Sequence, residues 1–476
     1  MNASDRDTSQ LGNWIHLFDG RKLAGWETSG DLSAFLVEAG AIAARGPGAR
    51  LFYTGPYGQT RFRNFELAAK VHCSQGARGG IYFHTRYAPA DNPLQGYLVL
   101  INNHTVDANG SLERCKTGSL YGIRNYFKAL AADGEDIDLR IQVTGKRIQV
   151  WVNGVQVVDY TEPAQPVRNA ALRQRVLSEG TFALESSAAS GSIHFKELRV
   201  RQLPASLSVS PLDQSVVDDC YHQLMQLQMS GFPLVDLHTH LKGVTVEEAV
   251  QNSLHTGVNY GIAPNCGLIH EGLPGVTART FIRDDAGLER FRQSMQSYPV
   301  FLGMQAEGRG WVELFSQQAI SRYDYVFTDC LTFTDEKGRH NRLWIEDEVY
   351  VDDPQVFMDT YVQRIESVLA NEPIDIFVNP TYLPKVIASD YDMLWTEARM
   401  DRVIQAAVGQ GIAIEINANF RIPSAALIKR AKRAGAKFSL GTNNEDANLG
   451  RLEYCLGMIE ACDLSAEDIF LPHRKN

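Results

Sequence analysis

The segment Asp236-Leu237-His238-Thr239-His240 closes the first short apolar stretch in the second half of the chain. Further apolar stretches of similar length follow it, and helical patterns separate them. Strands that alternate with helices in this way are typical of a parallel sheet or barrel. The seven strand candidates are Leu234–His238, Tyr260–Pro264, Val300–Ala306, Tyr325–Asp329, Ile374–Asn379, Ile412–Ile416 and Lys437–Gly441. The pattern therefore predicts an α/β barrel over residues 232–476.

The first half, residues 14–203, has a different pattern in which apolar and polar residues alternate over short stretches. The dipeptide Asn153-Gly154 separates two such stretches and favours a tight hairpin, because both residues tolerate a positive φ. Many short strands with glycine-rich turns predict a β-sandwich. Residues 204–231 begin with a Pro/Ser-rich run and continue with a helical pattern that Gly231 ends, so we expect a linker and a helix between two domains.

Composition and charge limit the classes of function. Of 476 residues, 44% are hydrophobic and 21% charged, as in ordinary globular proteins. The formal net charge of −10 provides no whole-chain basic field, so we expect no nucleic-acid partner. No apolar run approaches the ~20 residues that span a bilayer, and no secretory signal is visible, so we expect no membrane association and a cytoplasmic location. The seven cysteines include no CxxC pair and are expected to be reduced thiols.

Polar side chains follow the strand candidates at their C-terminal ends, which is where barrel side chains converge on a ligand. His238 and His240 lie two residues apart, so they project to the same side and could chelate a divalent metal. An isolated pair of this kind more often only caps a strand. A nearby carboxylate could complete a metal shell or act as a general base, and taken singly it could also cap a helix or form a salt bridge. The other polar candidates are Glu307, Asp329, Asn379, Glu415, Asn417, Arg421 and Asn443.

The opening His-x-His at 238 and 240 and the later Glu307 match motifs of a known family. With them, residues 234–445 resemble the polymerase and histidinol phosphatase (PHP) family of metal-dependent hydrolases. The resemblance implies a distorted seven-stranded (βα)7 barrel with bound metal. Asn265-Cys266 stands where the family has Asp-His, and Asn379-Pro380 stands where it has His-Pro. Because several ligands are replaced, we expect one divalent metal, zinc or manganese, on His238, His240 and Glu307.

The first half carries Leu17 to Trp26 (Leu-Phe-Asp-Gly-Arg-Lys-Leu-Ala-Gly-Trp), Gly79-Gly80-Ile81-Tyr82-Phe83 and Thr117-Gly118-Ser119-Leu120-Tyr121, in this order. With these motifs it resembles the 3-keto-disaccharide hydrolase family of concanavalin-like sandwich domains. The resemblance implies carbohydrate recognition and action on glycosides oxidised at C3. Leu98 stands where the family tends to have Glu, and Asn102 stands near its Asp. Without paired carboxylates, the sandwich is expected to bind sugar rather than cleave it.

Together these features predict a carbohydrate-active enzyme that cleaves 3-keto-glycosides, by hydrolysis or by elimination across C1–C2, at the C-terminal end of the barrel strands. The 3-keto group acidifies the C2 proton, and Asp329 or Glu415 would accept that proton. The residues expected to orient substrate hydroxyls are Asn379, Asn417, Arg421 and Asn443. Two alternatives remain open, a metal-dependent phosphoesterase of the PHP type and a non-catalytic sugar-binding protein.

Overall fold

The fold is that of a computed structural model in which the chain divides into two compact units. These are Met1–Pro233 with Leu254–Gly257, and Leu234–Ser253 with Val258–Asn476. The structure describes residues 12–46, 48–88, 95–104, 106, 113–187, 190–204, 219–267, 281–308, 310–444, 446–447 and 449–472. Most of the predicted linker and the start of the predicted helix fall in residues 205–218, which lie outside the described residues.

The first unit is a sandwich of two antiparallel sheets. Its strands are β1 (Ile15–His16), β2 (Trp26–Ser29), β3 (Phe35–Glu38), β4 (Ala41–Arg45), β5 (Ala49–Tyr53), β6 (Phe65–Cys73), β7 (Gly79–Thr85), β8 (Tyr97–Ile101), β9 (Asp136–Thr144), β10 (Arg147–Val152), β11 (Val155–Thr161), β12 (Thr181–Ser186) and β13 (Ser192–Gln202). One sheet has the order β11-β10-β9-β6-β13-β4-β3 with β1 beside β13, and the other has the order β2-β5-β12-β7-β8. The predicted sandwich is confirmed.

Alternation along the strands produces the core of this sandwich. On β9, Ile137, Leu139, Ile141 and Val143 point inward and are buried, while the residues between them face outward. The predicted Asn153-Gly154 hairpin is confirmed, since it joins β10 to β11 with φ of 50° and 81° at the two residues. The helix α1 (Tyr221–Met229) places Tyr221 and Met225 in the same apolar core.

The second unit is a closed barrel of seven parallel strands. Its strands are β14 (Val235–Thr239), β15 (Asn259–Ile262), β16 (Asn265–Gly267), β17 (Phe301–Glu307), β18 (Tyr325–Thr328), β19 (Thr332–Thr334), β20 (His340–Arg342), β21 (Ile376–Phe377), β22 (Ala413–Asn417) and β23 (Phe438–Gly441). The ladder runs β14-β15-β17-β18-β21-β22-β23 and closes because β23 pairs with β14. The short β16 extends the β15 edge along β17, and β19 and β20 form a separate antiparallel hairpin. Each predicted strand overlaps a strand of this barrel.

Helices connect the barrel strands. They are α2 (Val246–Thr256), α3 (Asp285–Met295), α4 (Trp311–Leu314), α5 (Gln317–Ile320), α6 (Pro354–Asn371), α7 (Tyr391–Leu394), α8 (Glu397–Gln410), α9 (Ala425–Arg433) and α10 (Glu453–Ala461). On α8, Met400, Val403, Ile404 and Ala407 lie on one buried stripe, the spacing of an amphipathic helix. Among the described helices, none combines the length and the apolar character needed to cross a membrane.

Candidate functional site

The polar residues predicted at the strand ends meet at one end of the barrel. His238 lies on β14, Glu307 ends β17, and Glu415 lies on β22. Asp329 directly follows β18, and Asn379 follows β21. Because all seven barrel strands are parallel, their C-terminal ends lie at the same rim, so side chains distant in sequence become neighbours.

A buried histidine and glutamate form the centre of this site. His238 Nδ1 donates to Glu415 Oε1 at 2.6 Å, and the two side chains are 2% and 0% exposed. The other carboxylate oxygen, Oε2, accepts from the Asn379 backbone N–H at 2.8 Å and from Asn417 Nδ2 at 3.1 Å. Both oxygens are engaged and the side chain is buried, so Glu415 orients His238 through this hydrogen bond. Its predicted role as a base stays a prediction.

A glycine on the neighbouring strand makes room for this pair. A Cβ atom at Gly441 would collide with Glu415 Oε1 and would lie 2.8 Å from His238 Cβ. The Nε2 atom of His238 is buried and has no hydrogen-bond partner within the described part of the chain.

Three asparagines link the two sides of the site. Asn417 Nδ2 and Asn443 Nδ2 donate to Asn379 Oδ1 at 2.9 Å and 3.3 Å. Asn379 Nδ2 in turn donates to Asp329 Oδ2 at 3.3 Å. Asn379 and Asn443 have φ of 52° and 44°, a left-handed conformation that asparagine adopts more readily than most residues. The predicted amide residues are thus brought together, although their contact with a substrate stays a prediction.

Glu307 and Asp329 supply two carboxyl groups at the ends of neighbouring strands. Both side chains are half-buried, and Glu307 Oε1 accepts from Gln305 Nε2 at 2.9 Å and from Asn265 Nδ2 at 3.1 Å. Burial raises the pKa of Glu307 to about 8, and the charge of Asp329 adds to this rise. Burial also raises the pKa of Asp329 above its ordinary value. At neutral pH the Glu307 carboxyl group therefore retains its proton.

The second histidine is held by the backbone. His240 Nδ1 donates to Ala263 O at 2.9 Å, and its backbone N–H donates to Asn444 Oδ1 at 2.8 Å. Burial lowers the pKa of His240 to about 3, with smaller contributions from the positive charges of His238 and Lys242. The ring of His240 is therefore neutral, and its centre lies 5.3 Å from that of His238.

The donor set does not fit the predicted metal site. Among the described residues, no group of three or more His, Cys, Asp or Glu side chains could hold a metal ion. His238, His240 and Glu307 therefore do not form such a group in the described structure, and their role as metal ligands stays a prediction. Amide groups of Asn265 and Gln305 hold Glu307 Oε1.

Arg421 lies outside this hydrogen-bond network. It lines a neighbouring cavity of about 370 Å3. The sequence analysis missed this cavity, whose aromatic lining comes from the loops after β21 and β22 and from α7 and α10. It also missed Asn265 and Gln305, although Asn265 directly follows the second strand candidate and Gln305 lies within the third. Their positions at strand ends were the signal that could have identified them.

Comparison with known proteins gives one family match. Residues 13–201 match the model of the 3-keto-alpha-glucoside-1,2-lyase-like domain. This match covers the sandwich and agrees with the resemblance that its motifs indicate. No curated protein sequence matches the chain significantly.

Solved structures resemble either half. A protein from Parabacteroides distasonis, proposed to be a glycosyl hydrolase, is 19% identical over 40% of this chain and 94% of its own, with a TM-score of 0.35. The carbohydrate-binding module CBM66 from Bacillus subtilis is 16% identical over 37% of this chain and 93% of its own, with a TM-score of 0.26. A histidinol phosphate phosphatase from Lactococcus lactis, solved with zinc, L-histidinol and phosphate, is 15% identical over 50% of this chain and 99% of its own, with a TM-score of 0.36.

Proposed function

We propose that this protein is a carbohydrate-active lyase that cleaves 3-keto-glycosides by elimination across C1–C2, with Asp329 as the base and Glu307 as the acid. The observation that carries the proposal is the pair of half-buried carboxyl groups at the ends of β17 and β18. A reaction that removes one proton and delivers another needs one ionised and one protonated group. The family match of residues 13–201 supports the class of substrate.

The first step is removal of the C2 proton by Asp329. The electrons left at C2 delocalise into the C3 carbonyl group as an enolate, which is why a 3-keto-glycoside is more acidic at C2 than an ordinary glycoside. The positive charge of Lys242 lowers the pKa values of both Glu307 and His240. A cation in this position would stabilise the negative charge that develops on the enolate oxygen.

The second step is loss of the C1 substituent. The enolate electrons re-form the C3 carbonyl group, a C1–C2 double bond forms, and the C1–O bond breaks. Glu307 gives its proton to the departing oxygen, so the products are an unsaturated 3-keto sugar and a free alcohol. After the second step Asp329 carries a proton and Glu307 has lost one. Transfer of the proton from Asp329 to Glu307 then restores the starting state.

The rest of the site positions these two groups. Asn379 Nδ2 donates to Asp329 Oδ2 at 3.3 Å, which favours the ionised form of the base. Glu415 accepts from the backbone N–H of Asn379 and from His238, so it fixes the loop that carries this asparagine. Asn379, Glu415 and His238 are therefore positioning residues in this proposal.

The two alternatives have less support. A PHP-type phosphoesterase needs a metal cluster to hold phosphate and activate water, and the described residues provide no three-ligand group. A sugar-binding protein without catalysis would not need two half-buried carboxyl groups at neighbouring strand ends of the barrel. Both alternatives remain distinguishable by experiment.

The test is to incubate the full chain with a 3-keto-glucoside and, separately, with a phosphate monoester. We expect turnover of the keto sugar alone, detected by the ultraviolet absorbance of the unsaturated ketone. Asp329→Asn and Glu307→Gln should each lower the rate by roughly 10²- to 10⁴-fold. The control Glu366→Gln changes a partly exposed carboxylate on α6 and should keep full activity. Turnover of the phosphate ester alone, or sugar binding with no turnover, would contradict the proposal.

A further inference from the structure

A cavity of about 370 Å3 lies beside the candidate site. Two of its wall residues are hydrogen bonded to the asparagines of the site. The backbone N–H of Tyr382 donates to Asn379 O at 3.2 Å, and that of Phe420 donates to Asn417 Oδ1 at 2.8 Å. The wall of the cavity is therefore tied by hydrogen bonds to Asn379 and Asn417, and Asn379 in turn donates to Asp329.

Aromatic side chains form most of the lining of this cavity. Tyr382 and Phe420 are in edge-to-face contact with ring centres 4.7 Å apart. The Tyr391 hydroxyl donates to Thr381 Oγ1 at 2.6 Å, and the Tyr454 hydroxyl donates to Pro423 O at 2.7 Å. Because these two hydroxyl groups are engaged within the protein, the rings offer a ligand mainly their apolar surfaces.

The side chain of Arg421 places a positive charge beside these aromatic rings. The Arg421 guanidinium lies 5.7 Å from the centre of the Tyr454 ring, and its side chain is exposed. Within the described part of the chain, no carboxylate pairs with it. A planar guanidinium beside aromatic rings suits a flat ligand that carries an electron-rich oxygen.

We propose that this cavity is the leaving-group subsite and that it takes an aromatic aglycone, which departs as a phenol. The inference rests on the proposed function and names its class of substrate. When the C1–O bond breaks, the electron pair goes to the phenolic oxygen, Glu307 supplies the proton, and Arg421 stabilises the negative charge that develops before the proton arrives. The volume is within the range of about 300–1,000 Å3 that is usual for small-ligand sites.

The proposal predicts a preference that depends on the aglycone. We compare kcat/KM for phenyl and methyl 3-keto-glucosides in the full-length protein and in Phe420→Ala, Arg421→Ala and the control Arg433→Ala, which changes an exposed arginine on α9. The phenyl compound should be the better substrate, and Phe420→Ala should lower its kcat/KM by about tenfold without affecting the methyl compound. Arg421→Ala should slow phenyl compounds most when the phenol is a poor leaving group. The control should match the wild type.

A binding measurement separates this proposal from the proposed function. Equilibrium dialysis with 4-nitrophenolate requires no catalysis. We expect binding to the wild type and to Arg433→Ala, and weaker binding to Phe420→Ala and Arg421→Ala. Equal turnover of phenyl and methyl substrates, reduced equally by Phe420→Ala, would overturn the subsite and leave the lyase standing. If neither substrate is turned over, the proposed function fails, and absence of 4-nitrophenolate binding to the wild type would then overturn the subsite as well.

Discussion

Glu415 is a charged group in a fully enclosed position, and its three hydrogen-bond donors explain how the barrel tolerates it. Burying a carboxylate is costly unless its oxygens are satisfied. His238 Nδ1, the Asn379 backbone N–H and Asn417 Nδ2 satisfy them. The same bonds fix the positions of these three partners. One buried residue therefore determines where the neighbouring strand ends lie.

Loss of this carboxylate should destabilise the barrel strongly. Glu415→Ala leaves His238 and the Asn379 backbone N–H without their partner, so we expect the free energy of unfolding to fall by about 3–5 kcal/mol. Urea denaturation measures the change. Glu366→Ala is the matched control, since its partly exposed pair with Arg402 at 2.8 Å should contribute no more than about 1 kcal/mol. Equal losses in the two variants would show that the buried pair has no special role.

Glu307 should make stability depend on pH. Its pKa is about 8 in the folded protein against an ordinary value of 4.5, so the folded state binds the proton more tightly. Stability from this group is complete below pH 4.5 and is lost as pH rises towards 8. Urea midpoints from pH 5 to 9 should fall less steeply in Glu307→Gln than in the wild type. Parallel curves for the two proteins would contradict the raised pKa.

The sequence predicted which residues gather at the rim but not how they pair. His238, Asn379, Glu415 and Asn417 lie together as expected, because parallel strands place their C-terminal ends at one edge. Which oxygen accepts from which donor depends on side-chain geometry across strands, and no spacing rule provides that. For this reason the sequence does not indicate that Glu415 accepts from His238, or that Glu307 accepts from Asn265 and Gln305.

At the level of elements, hydrophobic pattern predicted the long-range architecture well. All seven barrel strands and the hairpin of β10 and β11 were predicted, because buried parallel strands appear as short apolar runs and Asn-Gly marks a tight turn. The small hairpin of β19 and β20 was not predicted. Its strands have three residues each, too few for a periodicity to appear. Some observed strand ends also differ from the predicted ones. The strand β21, for example, covers only Ile376–Phe377 of the predicted Ile374–Asn379.

Alanine substitutions at two glycines near the end of α8 should change the stability of the protein in opposite directions. Gly411 has φ of 69° and caps the helix, whereas Gly409 lies within it, and neither has atoms within 4 Å of an added Cβ. Gly411→Ala should therefore cost about 1 kcal/mol through backbone strain. Gly409→Ala should stabilise by about 0.5 kcal/mol, because alanine favours the helix. Thermal unfolding of both variants checks the signs, and the same sign in both would contradict the assigned cap.

At the level of the whole molecule, a sandwich and a barrel each have their own apolar core. The family match concerns the sandwich, whereas the paired carboxyl groups lie in the barrel. The sequence predicted this division from the change of pattern near residue 204. The division of roles, with sugar recognition in the sandwich and bond cleavage in the barrel, follows from where each kind of residue occurs and stays a prediction.

Two cores should give two unfolding transitions in urea. Ile141→Ala removes a fully buried side chain from the sandwich and should shift one transition by about 2–5 kcal/mol. Glu415→Ala should shift the other. Fluorescence and circular dichroism, followed together, would resolve the two. A single transition that moves in both variants would contradict separate folding units.

The fate of a deuterium atom at C2 tests the central claim most directly. The full-length protein is given a 3-keto-glucoside labelled with deuterium at C2, and the released sugar is analysed by mass spectrometry beside an enzyme-free sample. Elimination with Asp329 as the base predicts that every sugar released by the enzyme has lost its deuterium. It also predicts that Asp329→Asn releases sugar at least about 10²-fold more slowly than the wild type. Enzymatic release of sugar that retains deuterium at C2 would contradict the account.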